Sequence, residues 1–519
     1  MKKTGKKDKR ISLLFSVVFI VAPAVVSLLL IAVNALRNGY FSFPGVKWND
    51  EAVYIELAKL YSNHTSPLGY WGFNGNHATV GTGSAWNAAI ILPYALFALV
   101  FPVGYSFVYF CNMFYLALAN FLFLLLVKPT NVQKIKLMLA QITGTAFILY
   151  LNTDMSEILR FSLAIVLAGV LYNIYSEKAS KTLKYIIAPI LIVYMAQVYT
   201  FFVFAVPIYV FGVMKKKKVF AKIVASIAAM GVVSVGSYYI LHITSSNYNI
   251  GKPEQVIGAL KSGDYLQAFK NGLYLIYDGL TGIAYLRYSV YSNGIYAFHV
   301  LLAIALIVIG LLLFVRRRNK EKERTIGLIV FYSVSVFGFM YATLYTIVPD
   351  TFLRGTEIVI IFSLMLMVMV DKKILPWIVI GISAISLSFL PISLKSFEQP
   401  ERYYMKAERE EWKNLEKNMA EKLEIVDSDN PWDNTILMFT MEPKVICSIP
   451  EGFGLNFVME DYFGTDADYL FFTKHENRRE DWVEKDYDAI IAEYGDVFES
   501  DYAVVFEDDE YICYRRIEQ

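Results

Sequence analysis

Acidic residues are sparse in the first three quarters of this chain, and three places where they gather beside basic ones could do chemistry. Asp50 and Glu51 sit together in 47-KWNDEAVYIELAKLY-61. Asp154, Glu157 and Arg160 sit in 152-NTDMSEILRFSL-163, and Arg354 and Glu357 in 349-PDTFLRGTEIVII-361. A carboxylate can take the proton of an attacking hydroxyl or hold a divalent metal, and a guanidinium can hold a departing phosphate through paired charge-assisted bonds. Together they suit transfer of a group from a lipid phosphate. Each cluster also has a plainer reading. An Asp-Glu pair stabilises a helix start, Asp154 and Glu157 can mark a wet loop and the next helix start, and Arg354 can pair with Glu357 one turn on.

What must position these groups is a set of membrane helices. Apolar residues make up 56% of the chain, aromatics 16% and charged residues only 18%. The apolar residues fall in repeated uncharged blocks of the length that crosses about 30 Å of hydrocarbon as helix. A soluble protein is excluded. The blocks are 11–33, 104–127, 137–152, 158–175, 185–198, 200–214, 221–241, 295–315, 326–347, 354–370 and 374–391, eleven spans in all. The first follows MKKTGKKDKR and resembles a signal peptide, but no small-residue cleavage site closes it, so it reads as a retained span. With the N-terminus cytoplasmic, every basic run falls inside: 128–136, 177–184, 215–218, 316–324 and 371–373. This holds only if 86-WNAAIILPYALFALVF-101, with Pro93 at its middle, does not cross. The expected setting is a plasma membrane, crossed many times, with the C-terminus outside and all three charged clusters at that outer face.

Charge divides the chain sharply. Residues 1–391 hold 34 Lys and Arg against 15 Asp and Glu, whereas residues 392–519 hold 14 against 32. An acidic tail repels phosphate backbones, so no nucleic acid is expected as partner. The outer parts are loops 34–103 and 242–294 and the tail 392–519. Tyrosines 265, 274, 277, 285, 288 and 291 in the second loop suit an interfacial aromatic belt or a groove for an isoprenoid chain or sugar ring. The tail opens with a mixed-charge stretch, 401–425, that reads as an exposed helix. Strand-like runs follow at 435–441, 444–449, 469–474, 502–506 and 511–516, with a helical stretch at 482–495, which fits a small α/β domain. Nothing in the tail has metal-ligand or nucleophile spacing. Cys447 and Cys513 could pair outside the cytosol, although two cysteines make no framework.

The acidic pair that opens a long first outer loop, WNDEAVY at 48–54, resembles the hallmark of the GT-C superfamily of polytopic glycosyltransferases, which includes the protein O-mannosyltransferases and the lipid A aminoarabinose transferases. Asp154 in the next outer loop matches the second acidic position of that superfamily. A nonspanning helix late in the first loop and an outer C-terminal domain are likewise similar to several members. The resemblance implies an all-α GT-C-like membrane fold plus a small extracytoplasmic α/β domain. A Lys-Pro-Pro type signature present in aminoarabinose-transferase-like members is absent here. Residues 70–86 read YWGFNGNHATVGTGSAW, so phosphate or sugar contacts would fall to Asn76 and His77, or to Arg160, Arg287 or Arg354, with Glu157 and Glu357 alongside. His77 alone also reads as an ordinary hydrogen-bonding loop histidine.

The activity this implies is that of an inverting glycosyltransferase moving a sugar from a polyprenyl-phosphate donor to an envelope glycan, lipid or protein acceptor at the outer face. Asp50 is the expected base, Glu51 and Asp154 shape the site or hold a metal, and Arg354 takes the phosphate. The carboxylates permit Mg²⁺ or Mn²⁺, while base catalysis needs neither. The rival classes are a glycan polymerase, which would not require an acidic pair after the first span, and a flippase or transporter, which should show paired halves that are not found here. A structural scaffold would leave Asp50 and Arg354 replaceable.

Overall fold

The structure, a computed structural model, describes residues 4–63, 70–73, 79–80, 88–244, 254–292, 294–316, 320–344, 349–370, 374–396, 402–427, 433–440, 442–450, 452–458, 467–474 and 487–517. Among these, seven helices are long and apolar enough to cross a membrane: Lys9–Asn38, Phe107–Val127, Glu157–Tyr175, Val219–Ile240, Gly294–Arg316, Glu321–Tyr341 and Leu375–Ile392. Asn131–Ile142 and Thr145–Leu151, bent by 71°, make an eighth if taken as one broken span. Their outward faces expose Leu13, Leu29, Ile227, Val232 and Ile304, an apolar surface that only lipid solvates well. The chain is a multi-pass membrane protein. The remaining expected spans fall on Leu183–Val198 and Thr200–Val213, which are shorter, and on Pro349–Met367, which carries Asp350, Arg354 and Glu357.

The bundle has two chemically distinct ends. At one, Lys134 donates to Ser12 O and Ser16 Oγ, Lys136 lies over Trp377, Asn173 meets Leu126 O, Lys215 pairs with Glu177 and Lys322 lies over Tyr172. At the other, Asp154 accepts from Tyr109 N at the start of the neighbouring span. The segment expected not to cross forms the helix Ala88–Ala98, interrupted by Pro93. Its 11 residues reach only about 16 Å, half the hydrocarbon thickness. It packs against the first-loop helix Asn49–Asn63 and against the span Phe107–Val127, where Tyr94 donates to Asn112 Oδ1 and Tyr115 to Pro93 O.

Among the described residues, five strands of the tail and two of the first loop form one sheet of order β2-β1-β4-β3-β5-β7-β6. Its strands are β1 (Tyr70–Phe73), β2 (Thr79–Val80), β3 (Thr435–Phe439), β4 (Gly454–Phe457), β5 (Tyr469–Thr473), β6 (Tyr502–Glu507) and β7 (Tyr511–Arg516). β3 is apolar and buried on both faces, as a central parallel strand must be, with Ile436 opposite Leu455 of β4 and Tyr469 of β5. β6, at the edge, buries Tyr502 and Phe506 and exposes Ala503, Val504 and Glu507, with its register shifted between Val504 and Phe506. Two departures from the sequence reading stand out here. Residues 444–449, read as a strand, lie mostly in a helix, Pro443–Ser448. Parallel β3 and β4 need a crossover between them, and Pro443 in the first turn starts it, so tertiary demand overrides the β propensity of Val445 and Ile446. The tail also does not complete its sheet alone, because β1 of the first loop pairs in parallel with β4. All three cysteines are free and buried, so Cys447 and Cys513 are not bridged.

Candidate functional site

The first-loop helix Asn49–Asn63 begins with Asp50 and Glu51, whose negative charge suits the exposed N–H groups of a helix start. Successive residues on a helix point about 100° apart, so the two carboxylates go to different places. Asp50 turns toward the helix Pro349–Met367, where Arg354 Nη1 lies 3.4 Å from its Oδ2. Both keep access to solvent, with side chains 28% and 18% exposed. Gly355 makes this approach possible: a Cβ there would come within 2.5 Å of the Tyr341 ring, so a larger residue would push the Arg354 turn out of place.

Around this pair lie groups from the cluster at 152–163. Arg160 Nη1 is 3.3 Å from Glu157 Oε1, and its guanidinium lies 4.7 Å from the centre of the Tyr199 ring. Tyr54, one turn after Asp50, accepts from Ser156 Oγ at 2.9 Å. Burial raises the pKa of Asp50 above the ordinary carboxylate value, Arg354 opposes that rise, and the charge of Glu157 adds to it. The structure thus brings Asp50, Glu157, Arg160 and Arg354 together from three segments. Glu357 points elsewhere, into the bundle, where His299 Nδ1 is 3.6 Å from its Oε2. Asn76 and His77 lie outside the described residues, and so does the side chain of Arg287.

Glu51 faces the interior and is fully buried. Its Oε2 accepts from Lys47 N and Trp48 N at 2.8 and 2.9 Å, and its Oε1 accepts from Asp154 N at 3.0 Å and pairs with Arg402 Nη1. With both oxygens committed, Glu51 has none to offer a cation. Asp154 is equally buried, and its pKa stands well above the ordinary value because of that burial and the nearby Glu51 charge, with the Tyr109 N–H opposing. The geometry therefore places these two in the scaffold beneath the Asp50 pair. Among the described residues no group of three or more His, Cys, Asp or Glu side chains is arranged to hold a metal ion.

Arg402 is the residue that the sequence reading missed. It precedes the tail helix Lys406–Lys422 and is fully buried, with its guanidinium 4.1 Å from the centre of the Trp48 ring. Arg354 lies over the same ring at 5.6 Å, so Trp48 stands between the tail and the accessible pair. The neighbouring residues of Arg402 fasten the same junction. Gly45 N donates to Arg402 O at 2.9 Å, Tyr403 Oη accepts from Asn152, and Tyr404 Oη donates to Val46 O. The available signal was the run Arg402-Tyr403-Tyr404, one charge followed by two large aromatics, which an exposed helix would not place there.

No family model and no curated protein matches the chain. Solved structures are similar to it across nearly its full length. ArnT from Cupriavidus metallidurans bound to undecaprenyl phosphate is 9% identical with a TM-score of 0.41, covering 97% of this chain and 98% of that one. The Archaeoglobus fulgidus oligosaccharyltransferase, tethered with an acceptor peptide containing the NVT sequon, is 11% identical with a TM-score of 0.46, covering 97% and 74%. ArnT from Cupriavidus metallidurans in the apo state is 12% identical with a TM-score of 0.36, covering 96% and 97%. At these TM-scores the likeness is loose, and the function must be argued from the site's own residues.

Proposed function

We propose that the chain is an inverting glycosyltransferase that takes a sugar from a polyprenyl-phosphate donor and places it on a hydroxyl of an envelope glycan, lipid or protein at the outer membrane face. One observation carries the reading: the accessible Asp50–Arg354 pair, 3.4 Å apart at one end of a membrane bundle. The isoprenoid tail stays in lipid while its phosphate reaches Arg354. The phosphate then competes with Asp50 for the guanidinium and frees the carboxylate. Asp50 takes the proton of the acceptor hydroxyl as that oxygen attacks the anomeric carbon. The bond from that carbon to the phosphate oxygen breaks, its electron pair passes to the phosphate, and Arg354 stabilises the charge. One displacement inverts the anomeric centre. Glu157 and Arg160, buried and paired with each other, set the charge around Asp50, and Asp154 and Glu51 hold the frame. The proposed topology has eleven spans, with the N-terminus cytoplasmic and the sheet outside, because that arrangement alone keeps every basic run inside.

The test is a reconstituted assay with a polyprenyl-phosphate sugar, scoring donor binding and transfer separately. Asp50→Asn keeps the shape of the side chain and removes the proton acceptor, so transfer should fall roughly 10²-fold or more while donor binding persists. Arg354→Lys keeps the charge but loses the planar fork, so donor binding and turnover should weaken together. Near-normal transfer by Asp50→Asn would remove the base and most of the case for this enzyme class.

A further inference from the structure

A cavity of about 190 Å³ lies between the first-loop helix, on its side away from Asp50, the segment leading into the span Phe107–Val127 and the tail helix Lys406–Lys422. Its chemistry comes from Lys59, Tyr105, Arg409, Trp412, Lys413 and Glu416. Lys59 fixes one wall, donating to Cys447 O at 2.6 Å and pairing with Glu56 at 3.3 Å. Tyr105 and Trp412 have ring centres 6.0 Å apart, and the Arg409 guanidinium lies 4.1 Å from the Tyr105 ring centre.

The charge pattern of the tail helix singles out this face. Lys406 and Lys417 each pair with a glutamate four residues on, Glu410 and Glu421, at 3.8 and 3.7 Å. Arg409 and Lys413, the two cations of this helix that line the cavity, have instead Lys413 and Lys417 at that position, with Glu416 three residues beyond Lys413. Like charges one turn apart cost helix stability, and here they occur in a tail that is otherwise strongly acidic. A bound anion would offset that cost.

The level of the cavity in the membrane points to the kind of anion. Tyr105 lies two residues before a span, and Val100 and Phe101, just upstream, are exposed apolar residues at 74% and 53%. Tyrosine and tryptophan favour the headgroup layer, where basic side chains attract anionic lipid. We propose that this cavity holds the phosphate of an anionic lipid headgroup from the leaflet facing the tail. The lipid ties down a domain whose own negative charge would lift it off that surface. The proposal stands independently of the transferase reading.

The experiment uses the full chain in nanodiscs of phosphatidylcholine with labelled phosphatidylglycerol, followed by delipidation and a count of retained phosphatidylglycerol. The double variant Arg409→Gln/Lys413→Gln should weaken retention by roughly tenfold or more. Lys406→Gln/Lys417→Gln, with the same change in net charge away from the cavity, should not. Glu416→Gln, which removes the opposing carboxylate, should strengthen retention and covers the case in which the first double variant fails to fold. Equal loss in both double variants, or retention unchanged by Glu416→Gln, overturns the site. Inorganic phosphate is titrated into discs of phosphatidylcholine alone as a separate arm. If it binds the cavity and phosphatidylglycerol shows no preference over phosphatidylcholine, the site belongs to a free phosphate and the lipid assignment falls.

Discussion

Asp50 and Glu51 are chain neighbours with opposite surroundings, and the contrast decides how each can act. Asp50 is part-exposed beside the Arg354 guanidinium, whereas Glu51 spends both oxygens inside the protein. Only the first can exchange a proton with a substrate. The raised pKa of Asp50 gives a pH prediction with a definite sign. A base must be deprotonated, so kcat/KM should rise with pH through the pKa of Asp50 in the free enzyme, above the ordinary value of about 3.9. Arg354 holds that pKa down against burial, so Arg354→Gln should move the acid limb to higher pH. An acid limb at or below pH 4, or a shift downward in the variant, would show that another group titrates. The acidic pair was legible in the sequence because charge beside a span is costly and so conspicuous. Which member faces solvent was not, since that depends on helix rotation against partners hundreds of residues away. Arg402 was hidden for the reverse reason: in a stretch rich in Glu, Lys and Arg, one more charge draws no notice.

At the scale of elements, the junction of residues 402–404 with the first loop does the holding. Arg402 meets Glu51 and Trp48, and Tyr404 closes over Gly45, where a Cβ would fall 2.6 Å from the Tyr404 ring. Removing one partner of a buried ion pair leaves the other charge uncompensated. Arg402→Ala should therefore destabilise the protein by about 3–5 kcal/mol, read as a lower unfolding midpoint in detergent, and should lower transfer along with it. Arg402→Lys should fall between, keeping the charge and losing the fork. A midpoint unchanged in Arg402→Ala would mean that the pair contributes nothing to the fold. The seven long spans and the strands β3, β5, β6 and β7 were readable because period and apolar runs are local signals. The helix Pro443–Ser448 was not, because its residues favour a strand and only the parallel pairing of β3 with β4 requires a crossover there.

For the whole molecule, the two ends of the bundle make a topological prediction. All three native cysteines are buried, so introduced ones can be labelled against a low background. Cysteines replacing Arg10 and Lys217, both exposed at the basic end, should react with an impermeant reagent from the same side of the membrane, and one replacing Glu410 on the tail helix from the opposite side. Labelling of positions 10 and 217 from opposite sides would overturn the eleven-span topology. The charge division at residue 391 showed that the chain has two settings. It did not show that β1 joins the tail's sheet, since 70-YWGF-73 lies in a glycine-rich stretch and its partner is far along the chain. That pairing governs how the protein must be made. Glu51 and Arg402 are 351 positions apart. At about 5–20 residues per second the ribosome needs tens of seconds to go from one to the other. Throughout that interval Glu51 lacks its arginine and β1 lacks β4. A chain that stops short of residue 402 leaves Trp48 and Glu51 without Arg402, so the architecture withholds the finished junction until that residue has been made.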